Sequence, residues 1–576
     1  MFSLKSFDYY RKARFWIIFY PMVYFIITGS LIGFLQLFSK FLFNNISISI
    51  IAIVNFAWAV SIGAISFIVI FLRIILKWKV RKMYVYECIS IIVNTKLPDK
   101  LPKVVYVYTT HDDFMPARML QNMQQTYTNI EYWISDGSEL AGTKKTIDDF
   151  VKKHKNVHLY RMNRPSKNKA DNLNSFLANH KTNFDYLMIS DADVAIQKDF
   201  VDKSLKFFYC NNQRNLAFVV PTFQDYGVDT LYSNCAKQFV NNRYIFNDSQ
   251  ASLRKQRIAE LASATALISC DFLKHVGYKF PKGNAEDIYL AFDVIKMGWT
   301  GFCNPLCVSM EEYDHDIIAS NNKNARIIGW NGKYTRTHMF YNNTNKYKGT
   351  LYEKYSIVFS FPFIVAALAL FPVIFIAIYD LIVSGSISNY KIWGTLCAFM
   401  PTIILLFVSS IIEGTKTNDK YSMFWGFPGF LMICFYLSFL ILIIKIWWKY
   451  VVFDKTEKFI PTHIKKQKQS KRISGYVVGL IITSLLLFIV LFTFIWFNLI
   501  QMNYGCFYSF ILLVSSIGLI WLSFLSTLIL YGVSLIPANK SYNENEFVYC
   551  KNKYLQFNEI IAQFNKKNKN KFKRIL

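Results

Sequence analysis

The chain alternates between long apolar segments and shorter polar ones. Crossing a bilayer takes about 20 apolar residues, and seven segments are long enough: Phe15–Phe38, Ile46–Leu76, Ile357–Val383, Ile392–Ile412, Met423–Ile446, Tyr476–Ile500 and Phe507–Leu535. The stretch from 77 to 356 has ordinary polarity. This pattern predicts a polytopic α-helical membrane protein with a large polar domain inserted between its second and third apolar segments.

Composition supports the same class of protein. Of the 576 residues, 53% are hydrophobic and 18% aromatic, and 65 Lys and Arg against 37 Asp and Glu give a net charge of +28. The basic residues lie in short runs between apolar segments, as in the cytoplasmic loops of membrane proteins. We therefore exclude a wholly soluble, disordered or fibrous protein and expect no nucleic-acid partner. The ten cysteines show no paired CxxC spacing, so we expect reduced thiols and no zinc site.

Basic residues also predict the topology. Arg73, Lys77 and Lys79 follow the second apolar segment, which places the polar stretch in the cytosol of a multi-pass plasma-membrane protein. If Met423–Ile446 crossed the bilayer, the basic segment that follows it and the Lys-rich C-terminus would both lie outside. We therefore prefer six crossings, with Met423–Ile446 at the interface, over seven. The predicted units are a transmembrane hairpin (1–80), a cytosolic α/β domain (100–345), a second hairpin (350–415), an interfacial helix with its following loop (420–475), a third hairpin (476–536) and a basic cytosolic tail (537–576).

The sequence pattern of the polar stretch predicts alternating strands and helices. Its apolar, β-branched runs predict strands at Val104–Thr109, Tyr132–Ser135, Val157–Arg161, Tyr186–Ser190 and Phe218–Thr222. Helix-length segments separate these runs, which predicts a mostly parallel α/β sheet. Ligands bind such sheets outside the carboxyl ends of the strands.

Acidic residues follow several of these strands. The first strand runs into Asp112 and Asp113, the second into Asp136, and the fourth into Asp191 and Asp193. Three acidic strand ends in one α/β domain favour a shared site for a nucleotide and a metal. Carboxylates would repel the diphosphate of a nucleotide unless a hard cation lay between them, so we expect Mg²⁺ or Mn²⁺ as cofactor. The alternative for any single Asp-x-Asp is a solvated loop.

The order and spacing of these motifs resemble a known family. VYTTHDD, YWISDGS, KADNLN and ISDAD, followed by AEDIYLAFDVIKMGW, are similar to motifs of the processive family 2 glycosyltransferases over about residues 100–340. The segments after residue 218 are most similar to the bacterial osmoregulated periplasmic glucan glucosyltransferases and more distantly to cellulose synthase. The resemblance implies a GT-A-type fold and a UDP-sugar donor.

The resemblance also implies roles for individual residues. Thr109, Asp112 and Asp136 would hold the uridine, Lys169 the diphosphate, Asp191 the nucleotide and Asp193 the metal. Asp287, beside Glu286, would be the catalytic base that takes the proton from the acceptor hydroxyl. Spacing through Ile288, Leu290, Ala291 and Ile295 predicts a helix starting at these two acids, where the helix dipole alone would favour them. The two explanations are compatible.

Two further motifs depart from the family pattern. Trp330 matches the Trp of a Gln-x-x-Arg-Trp element that contacts the acceptor sugar, but Gly329 precedes it, so Arg326 is assigned to the diphosphate, with Lys333 and Arg336 as competitors. The alternative for Trp330 is a membrane-interface aromatic. Phe453-Asp454-Lys455-Thr456-Glu457-Lys458 resembles a gating loop of cellulose synthases through Phe453, Thr456 and Lys458. Its alternative is a basic loop at an anionic leaflet.

The resulting expectation is a membrane-embedded inverting glycosyltransferase. It would polymerise a β-linked glucan or galactan from a UDP-sugar donor onto a growing polysaccharide acceptor and translocate the chain through the lipid bilayer. The alternatives are a hyaluronan- or chitin-like synthase, a glycolipid synthase that transfers a single sugar, and a transporter with a degenerate cytosolic domain.

Overall fold

The computed structural model describes residues 81–166, 168–180, 184–210, 215–226, 264–281 and 286–312, together with five separate positions between 481 and 489. Among these residues, no helix is both long and apolar enough to cross a membrane. Except for those five positions in Tyr476–Ile500, the seven predicted spans lie outside the described residues. The membrane hairpins, the interfacial helix and the basic tail therefore stay predictions.

The described part of the chain is an α/β domain. Its helices are α1 (Arg81–Asn94), α2 (Pro116–Asn122), α3 (Ala141–Lys153), α4 (Lys169–His180), α5 (Phe200–Tyr209), α6 (Cys270–His275) and α7 (Glu286–Lys296). Its strands are β1 (Val104–Thr110), β2 (Ile130–Asp136), β3 (Val157–Arg161), β4 (Tyr186–Ser190), β5 (Ala195–Ile196), β6 (Leu216–Tyr226), β7 (Thr265–Ser269) and β8 (Thr300–Glu312). The five strands predicted from sequence correspond to β1, β2, β3, β4 and β6, and the helix predicted at Glu286 is α7.

The strands form one sheet in the order β3-β2-β1-β4-β7-β6-β8-β5. The first four are parallel neighbours, as predicted. Beyond them the sheet is mixed: β7 is antiparallel to both β4 and β6, and β5 is antiparallel to β8, while β6 and β8 are parallel. The antiparallel insertion of β7 is a feature that the strand pattern did not predict.

Two hydrophobic layers cover the sheet. Every residue of β1 is buried, as expected of a parallel strand with helices on both faces. One layer includes Leu173 and Phe176 of α4, Phe272 of α6 and Leu290 of α7. The other includes Met119 of α2, Ile147 and Phe150 of α3, and Phe200 of α5. This packing fixes the strand positions and thereby the loops that follow them.

The carboxyl ends of three central strands are aligned at one edge of the sheet. In the register, Thr110 at the end of β1 pairs with Asp136 at the end of β2, and Tyr108 pairs with Ser190 at the end of β4. The predicted acidic strand ends therefore lie next to one another in the fold. This edge is where an α/β sheet binds ligands.

Candidate active site

Asp112 connects the loop after β1 to the start of α3. Its backbone is left-handed, with φ of 63°, a conformation that Asp tolerates better than most residues. One carboxylate oxygen, Oδ1, accepts hydrogen bonds from the backbone N–H groups of Glu139 and Leu140 at 2.9 and 2.8 Å. The Ser138 hydroxyl accepts from the Asp112 N–H at 2.9 Å. Asp112, which the sequence analysis assigns to the uridine, therefore holds the loop after β1 against the loop before α3.

Asp136 is fully buried at the end of β2 and forms an ion pair with Arg161. The Arg161 Nε lies 2.7 Å from Oδ2, and the backbone N–H of Ser138 donates to Oδ1 at 2.9 Å. Arg161 also pairs with Asp148 of α3 at 3.0 Å. Sequence reasoning singled out Asp136 but missed Arg161, whose only signal was a basic residue ending a predicted strand.

Gly137 allows the β2 loop to pack closely against the loop before α4. A Cβ at this position would overlap the side chain of Ser166, so only glycine fits. The Gly137 carbonyl accepts from the Ser166 backbone N–H at 3.0 Å and lies 2.8 Å from His111 Nδ1. These contacts join the loops that follow β1, β2 and β3 at the candidate site.

The turn after β4 carries Asp191 and Asp193, both partly exposed. The hydroxyl of Thr109, at the end of β1, donates to the Ser190 carbonyl at 2.9 Å and lies 3.4 Å from Asp191 Oδ1. Two of the residues predicted to contact the nucleotide therefore do lie together. Burial raises the pKa of the Tyr108 phenol well above its usual value, and the nearby charge of Asp193 makes a smaller contribution in the same direction.

Lys169 lies at the centre of a group that we call the lysine–carboxylate cluster: Lys169, Asp191, Glu286 and Asp287. Its Nζ is 2.5 Å from Asp191 Oδ1, and its side chain is 17% exposed. Burial alone would lower the pKa of Lys169, but the charges of Asp191, Glu286 and Asp287 raise it above its usual value. The structure therefore brings together the predicted diphosphate ligand, a predicted nucleotide ligand and the predicted catalytic acids.

The first turn of α7 presents Glu286 and Asp287 to this cluster. Burial raises the pKa of the Glu286 carboxyl to about 7; the charges of Asp287 and Asp191 add to that rise, while Lys169 opposes it. A carboxyl group with a pKa near the working pH is suited to exchanging protons with a substrate. The arrangement can hold an anionic diphosphate near Lys169 and an acceptor hydroxyl near a carboxylate.

The raised pKa of Glu286 makes the stability of the protein depend on pH. Below the ordinary pKa of 4.5, Glu286 is protonated in both the folded and the unfolded state, and the folded protein has the full stability that the neutral carboxyl allows. As the pH rises through about 7, the folded protein has to ionise this buried group, and that stability is lost. Glu286→Gln removes that ionisation. We expect the variant to unfold about 2–4 °C higher than wild type at pH 8, the shift that about 1 kcal/mol causes in a domain of this size. The gain should disappear at pH 4.

Thermal unfolding of the full chain in detergent measures this difference. Glu139→Gln, at an exposed glutamate, is the matched control and should leave the pH dependence as it is in wild type. Equal unfolding temperatures for wild type and Glu286→Gln at both pH values would show that Glu286 ionises normally.

Asp113 is a further residue of the site that the sequence prediction did not assign. Burial raises its pKa to about 6; hydrogen bonds from the His111 backbone N–H and the Thr110 hydroxyl oppose this rise, and the charge of Asp191 adds to it. Those hydrogen bonds measure 2.7 and 2.9 Å. The available signal was its place in the acidic run after β1, where Asp112 was chosen instead.

The described residues suit a metal that is shared with a ligand. None of the described parts of the chain contains three or more His, Cys, Asp or Glu residues arranged to hold an ion. The turn offers the carboxylates of Asp191 and Asp193, which are hard oxygen donors. Mg²⁺ is commonly held by one or two carboxylates together with substrate phosphates and waters. The donor set therefore fits a divalent cation that arrives with a diphosphate.

Several predicted site residues lie outside the described residues. They are Arg326, Trp330 and the gating-loop residues Phe453, Thr456 and Lys458. Their assignments to the diphosphate, the acceptor sugar and a mobile gate stay predictions. The base, nucleotide and metal roles of the described residues also stay predictions.

The α/β domain matches a known family. Residues 105–277 match the model of Glycosyl transferase family 2, from β1 to just beyond α6. Over these residues the chain is similar to the family 2 glycosyltransferases, a class of enzyme that transfers a sugar from a nucleotide-sugar donor, and the described domain has a GT-A-like α/β fold. None of the curated proteins matches the chain.

Similar solved structures are remote. The mannosyltransferase PcManGT from Pyrobaculum calidifontis, in complex with GDP-Man and Mn²⁺, is 13% identical, with 67% of this chain and 99% of that chain covered and a TM-score of 0.42. GalNAc-T7 with UDP, GalNAc and Mn²⁺ is 13% identical, covering 38% of this chain and 45% of that one, with a TM-score of 0.29. TarS of S. aureus is 10% identical, covering 59% and 55%, with a TM-score of 0.29. At these scores no residue role is transferred from them.

Proposed function

We propose that the protein is a membrane-embedded, inverting and processive glycosyltransferase. It uses a UDP-sugar to extend a β-linked glycan and passes the product across the membrane. The observation that carries the proposal is the lysine–carboxylate cluster, because a cation for the diphosphate and carboxylates for the acceptor lie together at the carboxyl edge of the sheet. The resemblance of the motifs to processive synthases supports the polymerising activity, and the apolar segments support the membrane location.

The described residues have different roles in donor binding. Thr109, Asp112 and Asp136 order the loops after β1 and β2 on the uridine side. Lys169 exchanges its contact with Asp191 for the donor's diphosphate, which leaves that carboxylate for the nucleotide. Asp193 holds the Mg²⁺ or Mn²⁺ ion, which when bound neutralises charge on the leaving diphosphate.

The transfer itself uses the first turn of α7. Asp287 accepts the proton of the acceptor hydroxyl as that oxygen attacks the anomeric carbon from the side opposite the leaving UDP. Glu286, with its raised pKa, carries a proton for part of the time at neutral pH. When Glu286 is neutral, Asp287 is the member of the pair that accepts the proton of the acceptor hydroxyl.

A transfer assay tests the proposal. Membranes containing the full chain are incubated with radiolabelled UDP-glucose, UDP-galactose or UDP-N-acetylhexosamine, and the products are digested with linkage-specific hydrolases. A polymer degraded by a β-glycan hydrolase supports the proposal. Labelled glycolipid without polymer would make single transfer to a lipid the function, and neither UDP release nor product would favour a transporter.

The membrane arrangement is tested by chemical labelling. If Met423–Ile446 lies at the interface, Lys416→Cys and Lys468→Cys should both be protected from an impermeant thiol reagent in intact cells. Ser386→Cys, between two predicted crossings, should react and serves as the positive control. Labelling of Lys468→Cys from outside would restore the seventh crossing and reject the gating-loop assignment.

A further inference from the structure

The turn that carries Asp191 and Asp193 alternates between buried and exposed side chains. Ser190, Ala192 and Val194 are at most 1% exposed, whereas Asp191 and Asp193 are partly exposed. Ala195 and Ile196, which follow, are both buried. The buried residues anchor the turn against the sheet. The direction of the two carboxylates therefore depends on what holds the intervening positions.

Two tyrosines of β1 hold the first half of the turn. The Tyr106 hydroxyl shares a hydrogen bond with the Ser190 hydroxyl, and the Tyr108 hydroxyl donates to the Ala192 carbonyl. Both phenols are fully buried. The Tyr108 hydroxyl also lies 3.3 Å from the backbone N and O atoms of Met115, the residue before α2. A buried hydroxyl without its partner is costly, so these bonds constrain the turn strongly.

Asn122, the last residue of α2, holds the second half of the turn. Its Nδ2 donates to the Val194 carbonyl at 2.8 Å and to the Tyr106 hydroxyl at 3.0 Å, and its Oδ1 accepts from the Ile196 N–H at 2.8 Å. The side chain is fully buried. One amide thus bonds the backbone on both sides of residue 195 and links it to the first tyrosine.

We propose that Tyr106, Tyr108 and Asn122 are positioning residues that set the two carboxylates of the Asp191–Asp193 turn against the donor diphosphate and its cation. The proposal rests on the proposed function, because it assumes that the turn meets a metal–diphosphate. None of the three residues belongs to the turn. Tyr108 and Asn122 act through the backbone of the turn, and Tyr106 acts through the Ser190 hydroxyl and the Asn122 side chain. Carboxylates displaced by about 1 Å lose much of their effect on a bound ligand.

The first test compares UDP affinity with and without Mn²⁺ by calorimetry on the full chain in detergent. Tyr108→Phe removes one hydroxyl, and we expect it to reduce the Mn²⁺-dependent gain in UDP affinity by about tenfold, the effect of one lost hydrogen bond to a buried group. Tyr127→Phe is the matched control, since its buried hydroxyl donates to the Pro102 carbonyl at 2.6 Å, away from the turn. The control should lower stability similarly and leave the gain unchanged.

A second test needs no ligand. In Asn122→Ala, hydrogen exchange of the Ile196 amide should accelerate more than that of amides in β1. Asn304→Ala removes an equally buried side chain that accepts from the Leu306 N–H at 3.1 Å, and it should leave Ile196 protected. Wild-type protection of Ile196 in Asn122→Ala would overturn the proposal, as would an unchanged Mn²⁺-dependent gain in Tyr108→Phe. Failure of wild type to bind UDP would instead reject the proposed function, while the exchange result would still decide whether Asn122 holds the turn.

Discussion

Asp287→Asn should abolish sugar transfer while leaving UDP binding close to wild type. Loss of a general base typically lowers the rate about 10²–10⁴-fold, and the carboxylate is needed only when the acceptor hydroxyl attacks. An Asn side chain keeps the size of Asp but cannot accept that proton. Initial rates with a radiolabelled UDP-sugar and calorimetric UDP affinity, both measured on the full chain in detergent, separate the two effects.

Two comparison variants show whether the loss of transfer is specific to Asp287. Asp293→Asn makes the same change further along α7 and should transfer at the wild-type rate. Glu286→Gln should retain much of the activity, since in our proposal Glu286 is the protonated member of the pair. If Asp287→Asn keeps near wild-type turnover while Glu286→Gln loses it, the base is Glu286 and the assignment taken from the family resemblance is wrong.

The pH profile adds an independent check on the pair. Because burial and Asp287 raise the pKa of Glu286 to about 7, the charge of the pair changes within the physiological range. The kcat of wild type should therefore vary between pH 6 and 8 through this ionisation. The change in kcat between pH 6 and 8 should be absent in Glu286→Gln. If the pH profile of Glu286→Gln is identical to that of wild type, Glu286 takes no part in the reaction.

The parallel half of the fold could be predicted from sequence because its strands are short and rich in apolar or β-branched residues. Continuous runs of this kind are typical of strands buried on both faces, as β1 is. For Val157–Arg161 and Tyr186–Ser190 the predicted and observed bounds coincide. The strand β7 was missed although Thr265–Ser269 is also fully buried. Its direction depends on the long connection from β6, and no local pattern in the sequence encodes that.

The candidate site could be predicted only in part, for a physical reason. Strand-end acids are visible in sequence because the carboxyl ends of parallel strands meet at one edge. The residues that hold the acidic turn after β4 are not visible in this way, since Tyr106 and Tyr108 bond Ser190 and Ala192, each 84 positions away. The pairing of Asp136 with Arg161, 25 positions away, also follows from the register of β2 and β3, which the sequence alone does not specify.

The turn after β4 gives the second large effect: Asp193→Ala should reduce transfer at least about 10²-fold, and EDTA should reduce wild-type transfer similarly. A bound divalent ion contributes several kcal/mol to a reaction that releases a diphosphate, and each 1.36 kcal/mol is a factor of about ten in rate. Asp193 is a cleaner test than Asp191, because removing Asp191 would also break its contact with Lys169. Transfer rates at several Mn²⁺ concentrations, together with UDP affinity with and without Mn²⁺, measure the effect.

The controls distinguish a lost ion from a damaged fold. Asp202→Ala removes a carboxylate from α5 rather than from the turn and should keep both the rate and the Mn²⁺-dependent gain in UDP affinity. In Asp193→Ala that gain should disappear while metal-free UDP binding persists, since Lys169 and the loops after β1 and β2 are intact. If synthesis resists EDTA, the leaving diphosphate is stabilised by protein cations such as Lys169 rather than by a metal. If Asp193→Ala keeps the Mn²⁺-dependent gain, a carboxylate elsewhere holds the ion, and Asp113, beside Asp191, becomes the first residue to replace.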